Sequence, residues 1–379
     1  MHYFQNLETK NAPLGGGTVQ FDTSVIPQQT RVRSLQFNFD LTGTKANADT
    51  LTADQFAKFV QTVKLGNMVS ISGMDLQKLM WQVDGHVVED GNIGNSIGAG
   101  AGTFAMKFNL FLPFRDVRQP ASDDGSLPSE LCRGLELSIA NPDVWGVGSL
   151  KVTAGTIRCL VERIHETNVP QLARIGTLDP NTQNIKLDSG CYKDIILVKQ
   201  DGSNITAADI GVVDVLVDGQ YLMQQMRFDQ IVTNWNRTCC RNSAPSVTAG
   251  GIPPRAELQQ SGVPFLPIVW HDNSGKSNIS KQPYAESSLV INITSGSLTN
   301  ARIVFWKAVE KDKESLKTIA ATIGAPATAT TYEPATASKT PTHAADPGAP
   351  MSKKVKLLYG FLPGKWRERA TPGNKLAGT

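Results

Sequence analysis

A metal centre or an acid–base dyad needs polar side chains that converge, so the histidines come first. His2, His86, His165, His271 and His343 form no HxH, HExxH or HxxxH spacing, and no zinc or iron site is expected from them. His271-Asp272 is a suggestive neighbour pair, but adjacent strand residues point to opposite faces and would not work as a dyad. The expectation is a histidine at a loop edge. Cys239-Cys240 resembles a redox or metal element, yet bridging adjacent cysteines strains the peptide, and no CxxC partner exists. A buried thiol pair at the end of a helix is expected there. Cys132, Cys159 and Cys191 read as small apolar residues on or beside strands. Five scattered cysteines, an odd number, argue against a disulfide framework and fit a reducing compartment.

The carboxylates cluster at Glu89-Asp90, at Asp123-Asp124 and as single residues from Asp209 to Asp229. Asp123-Asp124-Gly-Ser lacks the alternating ligand spacing of a calcium loop and reads as a solvated turn. Gly91–Gly102 contains neither GxxxxGK[ST] nor a GxGxxG between strand and helix, so it is no phosphate loop. Sequons at Asn204, Asn236, Asn278 and Asn292 read as chance matches in a chain rich in Asn, Ser and Thr. Catalytic, cofactor-binding and metal residues are therefore all expected to be absent. One basic and aromatic mixture stands out near the end: Lys353, Lys354, Lys356, Tyr359, Phe361, Lys365, Trp366, Arg367 and Arg369. It suits a neighbouring subunit, an anionic lipid surface or, less well, nucleic acid; no specific nucleic-acid site is expected.

The elements that would position these residues follow from composition and pattern. The chain has 379 residues, 40% hydrophobic and 19% charged, enough for two cored domains. The formal net charge is +3; residues 351–379 hold seven Lys/Arg against one Glu, a net +6, so the rest carries −3. The body is near neutral and the tail basic. No run of eighteen apolar residues occurs, and MHYFQNLETK has no basic region leading an apolar one, so neither a membrane span nor a secretory signal is expected.

Apolar residues alternate with period two in Leu35–Leu41, Met106–Leu110, Leu135–Ile139, Leu289–Ile293 and Arg302–Trp306, separated by Gly, Pro, Asn, Asp and Ser. The chain reads as all-β with short helices in its loops. Its segments also repeat. Val69-Ser-Ile71-Ser-Gly73-Met-Asp-Leu76 matches Val215-Leu-Val217-Asp-Gly219-Gln-Tyr-Leu222 at a spacing of 146, as does Ile157 with Ile303. Phe111-Leu-Pro113 recurs at Phe265-Leu-Pro267, and Leu135/Leu137/Ile139 at Leu289/Ile291/Ile293, at 154. The order is shared, so we read a duplication. Each half should carry a leading strand (34–41; 194–199), a helical start (51–56; 205–210), a strand (68–72; 212–217) and a glycine. An amphipathic helix, a long loop, the Phe-Leu-Pro strand and two closing strands then follow. The first helix is marked by Leu76, Leu79, Met80 and Val83. In the second, Tyr221, Phe228, Ile231 and Trp235 share a face. Lys311–Thr322 suits a short helix, and Ala325–Pro350, rich in Ala, Thr and Pro, should be extended or disordered.

Two tandem β units without a catalytic set, carried by the paired blocks at 69–83 and 215–235 and the Phe-Leu-Pro strands, resemble the double jelly-roll major capsid proteins of tailless icosahedral viruses, including membrane-containing bacteriophages. The resemblance covers residues 20–310. It implies two eight-stranded antiparallel sandwiches: an arm at 1–20, jelly rolls at 21–168 and 193–310, a linker at 169–192 and a basic tail at 311–379. It also implies a non-enzymatic structural protein, needing no cofactor, that forms pseudo-hexagonal homotrimers. The implied partners are neighbouring capsomers, penton and minor capsid proteins, and an internal lipid membrane. The implied location is the virion, assembled in the host cytoplasm. Loops 84–103 and 236–262 would form outward towers, while the arm and the tail (Lys353, Lys354, Lys356, Lys365, Trp366, Arg367, Arg369) would contact neighbours or membrane. Two other readings stand beside it. One is a carbohydrate-binding or glycan-cleaving protein on paired jelly rolls, which expects carboxylates and stacked Trp in a cleft, whereas the six Trp here are dispersed. The other is a minor penton or spike protein.

Overall fold

Period-two alternation of buried and exposed side chains builds nearly everything in the chain. The computed structural model describes residues 2–45, 58–84, 102–115, 123, 125–140, 151–165, 171–179, 184–188, 191–240, 257–272, 278, 289–295 and 300–310. The helical start at 51–56, most of both tower loops and everything from 311 onward lie outside the described residues.

The first half contains β1 (His2–Asn11), β2 (Gly17–Phe21), β3 (Arg31–Lys45), β4 (Val60–Leu65) and β5 (Val69–Ile71). Helix α1 (Gly73–Asp84) follows, then β6 (Gly102–Pro113), β7 (Leu127–Pro128), β8 (Leu135–Ile139) and β9 (Lys151–Ile164). The second half contains β10 (Gln171–Leu178), β11 (Asn184–Leu187), β12 (Cys191–Lys199), β13 (Ile210–Val217) and β14 (Gln220–Arg227). Helix α2 (Phe228–Trp235) follows, then β15 (Leu266–Val269), β16 (Leu289–Ser295) and β17 (Ala301–Glu310).

Strand order shows the duplication directly. One layer of the first half runs β1-β9-β3-β6, with β7 beside β3, and the second half repeats it as β10-β17-β12-β15. The facing layer runs β2-β8-β4-β5 in the first half and β11-β16-β13-β14 in the second. Each half is thus a sandwich of two layers, four strands in each apart from the short β7 added to one layer of the first half, with a helix between its fifth and sixth strands. The order is that of a jelly roll, and the protein is two of them in tandem. The inner faces of all four layers meet in one continuous apolar core. Phe39 on β3 stacks on its cross-strand partner Phe108 on β6 at 4.3 Å between ring centroids, and Phe59 meets both rings edge-on at 5.7 and 6.2 Å.

The second half departs from the expected strand–glycine–helix. Gln220–Arg227 is a strand paired with β13, and the helix starts only at Phe228. The cause is Asp218-Gly219, whose φ values of 50° and 78° make the two-residue turn that matches strand twist and closes a hairpin. Gly219 corresponds in the first half not to Gly73 but to Gly66 (φ 48°), in the β4–β5 turn. The repeat spacing there is therefore 153, in line with the 154 of the Phe-Leu-Pro strands. The helices agree, since buried Leu76, Leu79, Met80 and Val83 match buried Phe228, Ile231, Val232 and Trp235 at 152. The helical start expected at 205–210 is a turn instead. Ile205 bridges to Val263, and the Asp209 carboxylate accepts hydrogen bonds from the Thr206 amide (2.8 Å) and hydroxyl (2.9 Å). Thr206 and Asp209 thus satisfy each other inside the turn instead of starting a helix.

Replacing Phe108 with Ala removes the ring both other aromatics contact and should cost about 3–5 kcal/mol. The measurement is the midpoint of chemical denaturation, with Phe4→Ala, on an exposed side chain, as the comparison expected to change it little.

Candidate functional site

The side chains singled out for chemistry are dispersed, and most serve packing. His271 is buried at a bridge just beyond β15 rather than at a loop edge, and its backbone carbonyl accepts a weak bond from the Cys239 thiol at 3.8 Å. Cys239 and Cys240 are buried in a π-helical turn that continues α2. None of the five cysteines is in a disulfide, and burial pushes the thiols of Cys132, Cys159 and Cys191 up. Tyr3 packs edge-on against His165 at 5.0 Å. Two sequon asparagines act as braces: Asn236 bonds both the amide and the carbonyl of Leu258, and Asn278 bonds Trp270 and Ile268. Lys307 is buried beside Asp188 (3.3 Å) and the Tyr192 ring (5.2 Å to the centroid). Burial lowers its pKa, opposed by the Asp188 charge. Among the described residues no group of three or more His, Cys, Asp or Glu is arranged to hold a metal, and no helix is long and apolar enough to cross a membrane. His86, Glu89, Asp90, Asp124, His343 and the tail residues Lys353, Lys354, Lys356, Lys365, Trp366, Arg367 and Arg369 lie outside the described residues.

Polar groups do converge where the two halves meet. β5 pairs in parallel with β10 (Val69 with Ile175, Ser70 with Gly176), which fuses one layer of each half into an eight-stranded sheet. The Ile175 amide donates to the Met68 carbonyl at 2.9 Å, and the Ala173 amide to the Gly125 carbonyl at 2.9 Å. Gly125 sits at φ 94° with its α-carbon so near the Phe114 carbonyl that a β-carbon would clash with it. Its loop is anchored by Arg33, buried between Asp123 (2.7 Å) and Glu162 (2.6 Å), and by Arg31, which donates to the Ser126 carbonyl at 2.6 Å. Asp123 is therefore the counter-ion of a buried arginine, not part of a solvated turn.

Helix α1 completes the seam. Ser72 caps it, its hydroxyl accepting from the Asp75 amide at 3.0 Å. One face of the helix buries Leu76, Leu79, Met80 and Val83 within its own half. The other carries Asp75, Gln77, Lys78 and Gln82, all buried as well. The Gln82 amide donates to Asp194 on β12 (3.0 Å) and to the Val269 carbonyl on β15 (2.8 Å). Asp75, fully buried, pairs with Arg302 on β17 at 3.0 Å, and Arg302 reaches Asp179 at 2.9 Å. Burial works against the charge on Arg302, but its bonds to the two aspartates prevail and raise its pKa. Trp81 and Trp235, one from each half, close on Phe265 edge-on at 5.8 and 5.9 Å. Nothing in the sequence reading pointed to Asp75, Gln82, Asp194 or Arg302. The one available signal was Asp, Lys and Gln at three- and four-residue spacings on a helix whose opposite face is already apolar.

Fold and seam together define a double jelly-roll protein. Its fold is similar to that of a chain in the atomic structure of Sulfolobus turreted icosahedral virus, at 13% identity and a TM-score of 0.51, covering 85% of this chain and 96% of that one. Weaker likenesses are to the major capsid protein P2 from bacteriophage PM2 (10% identity, TM-score 0.47, 83% and 99% covered) and to a chain of the PBCV-1 virus capsid (10%, 0.45, 81% and 94%). No protein-family model and no curated protein matches the sequence.

Arg302→Ala strands the buried Asp75 carboxylate and should cost about 3–5 kcal/mol, whereas replacing both partners with apolar residues should restore much of the loss. Denaturation midpoints of the single variant and the Asp75→Leu/Arg302→Leu double variant check this.

Proposed function

We propose that the chain is a structural, non-enzymatic capsid protein that assembles as pseudo-hexagonal homotrimers into an icosahedral virion shell. The observation that carries this reading is the repetition of one sandwich, strand for strand, on both sides of a buried seam. Two like bodies per chain let three chains present six similar flanks, so one kind of lateral contact can be reused around a closed ring and between rings. Fully formed sandwiches also shield most sheet edges from uncontrolled pairing, which suits a protein packed at high density. The likeness to a chain of an icosahedral virus supports the fold on which this rests. The reading extends to contacts with penton and minor capsid proteins, to assembly in the host cytoplasm, and to a tail that follows the two jelly rolls, which begin with the strands β1 and β10 rather than after a separate arm and linker. It assigns the basic tail, through Lys353, Lys354, Lys356, Lys365, Trp366, Arg367 and Arg369, to contact with neighbouring subunits or an internal lipid membrane.

Native mass spectrometry of the full chain should give a species of three chains, and electron microscopy should show closed particles under assembly conditions. A protein that stays monomeric and forms no particles overturns the proposal. The tail is tested separately on phosphatidylserine vesicles. The full chain should co-sediment and be released by salt, because screening weakens attraction of cations to anionic headgroups. A chain ending at Pro350 that binds equally well removes the membrane role.

A further inference from the structure

The two jelly rolls differ on the outward faces of their matching layers, β2-β8-β4-β5 in the first and β11-β16-β13-β14 in the second. Strand registers align these faces residue by residue. Buried Leu65 pairs with Leu135 as buried Val217 pairs with Leu289. The outward row beside them is Gln20-Glu136-Lys64-Ser70 in the first jelly roll. In the second it is Lys186-Val290-Leu216-Tyr221.

The chemistry of the two rows is different. The first is polar throughout, and the Gln20 amide donates to the Glu136 carboxylate at 2.9 Å. The second places three apolar side chains next to one another. Val290 and Leu216 are partly exposed, and Tyr221 is 54% exposed. The neighbouring row is polar in both halves, Thr18-Ser138-Thr62 against Asn184-Asn292-Asp214. The apolar stripe is thus one row deep and four strands wide, about 14 Å, beside the Asp218-Gly219 turn. The same fold carries a polar row at this place in its other half, so packing of the sandwich does not require these three residues. A contiguous exposed apolar group of this kind marks a contact surface.

The chain brings a matching segment to the same end of the sandwich. Asp188 follows Leu187, the last residue of β11, and Lys307 near the end of β17 reaches it at 3.3 Å. β17 ends at Glu310, and residues 311–379, which lie outside the described residues, continue from there. Within them Val355, Leu357, Tyr359 and Phe361 recur with period two, accompanied by Lys353, Lys354 and Lys356. Five extended residues, Val355 to Tyr359, span about 13 Å, close to the width of the row. Asp214 and Asp218 flank the row and complement the lysines. The 44 residues between Glu310 and Val355 are more than long enough to reach it. A tether of that kind also keeps the segment at high effective concentration, so a modest apolar contact suffices to hold it.

We propose that Val355–Phe361 docks across Val290, Leu216 and Tyr221 of its own chain, as a strap over the outer face of the second jelly roll. Lys365, Trp366, Arg367 and Arg369 lie beyond the strap and remain available for the contacts proposed above. The inference does not depend on the capsid reading, because the row and the segment belong to one chain.

The test uses the full chain with a photo-reactive benzoylphenylalanine in place of Tyr359. Irradiation, denaturing electrophoresis and peptide mass mapping should join the tail to peptides carrying 210–221 or 289–295, in a band of single-chain mass. Leu216→Lys/Val290→Glu/Tyr221→Ser gives the second jelly roll the row that the first already tolerates, and should reduce that link at least tenfold. Thr18→Asp, on the exposed matching face of the first jelly roll, should leave it unchanged. A link to any other surface, a link found only between chains, no link at all, or a link indifferent to the triple variant overturns the strap. An intrachain link in a protein that forms no particles supports the strap while overturning the capsid reading.

Discussion

A buried carboxylate cannot be left alone, and in this protein the partners of two of them come from the opposite half of the chain. Asp75 on α1 is neutralised by Arg302 on β17, and Asp194 on β12 accepts from Gln82 on α1. A two-residue parallel ladder is too short to hold two sandwiches in register by itself. The polar contacts beside it add direction, because each is favourable only at one relative placement, and separation would expose charges that folding has already shaped to fit. The loop at Gly125, held by Arg31 and Arg33, adds a third anchor on the same strand. The halves are two folding patterns but share one continuous core.

Duplication supplied the two bodies, and divergence of their outer faces gave them different roles. The fifth strand and following helix of the first half look inward to the second half, with Val69, Lys78 and Gln82 buried. Their copies in the second half turn a polar face outward. Meanwhile the inner sets hardly differ in kind: Leu76, Leu79, Met80 and Val83 against Phe228, Ile231, Val232 and Trp235 are interchangeable in pattern though not in volume. Core positions answer only to packing, whereas surface positions answer to whatever stands next to them.

The titratable groups follow the same logic. Groups whose environments depart from water, namely Lys307, Arg302 and the thiols of Cys132 and Cys159, sit in or against β-sheet and are spread through the molecule. They take part in ion pairs and packing rather than converging on a common point.

How much of this could be read beforehand depends on the range of the interaction. Alternation in Leu35–Leu41 or Leu135–Ile139 marks strands because one face of a strand is buried wherever it lies, and the apolar spacing of Leu76, Leu79, Met80 and Val83 marks a helix for the same local reason. The duplication was legible too, since both halves must satisfy one topology. The register of the repeat was not, because Asp218-Gly219 reads equally as the end of a strand before a helix or as a hairpin turn until β13 and β14 pair. Least legible was the seam. Asp75 and Arg302 are 227 residues apart, and nothing local distinguishes an aspartate destined for a buried ion pair from one facing solvent. By itself the amino-acid order determined the elements and their repetition, because those rest on periodic contacts a few residues long. Only the tertiary structure decided which polar faces are covered and by what, because that depends on which surface of a distant segment arrives opposite.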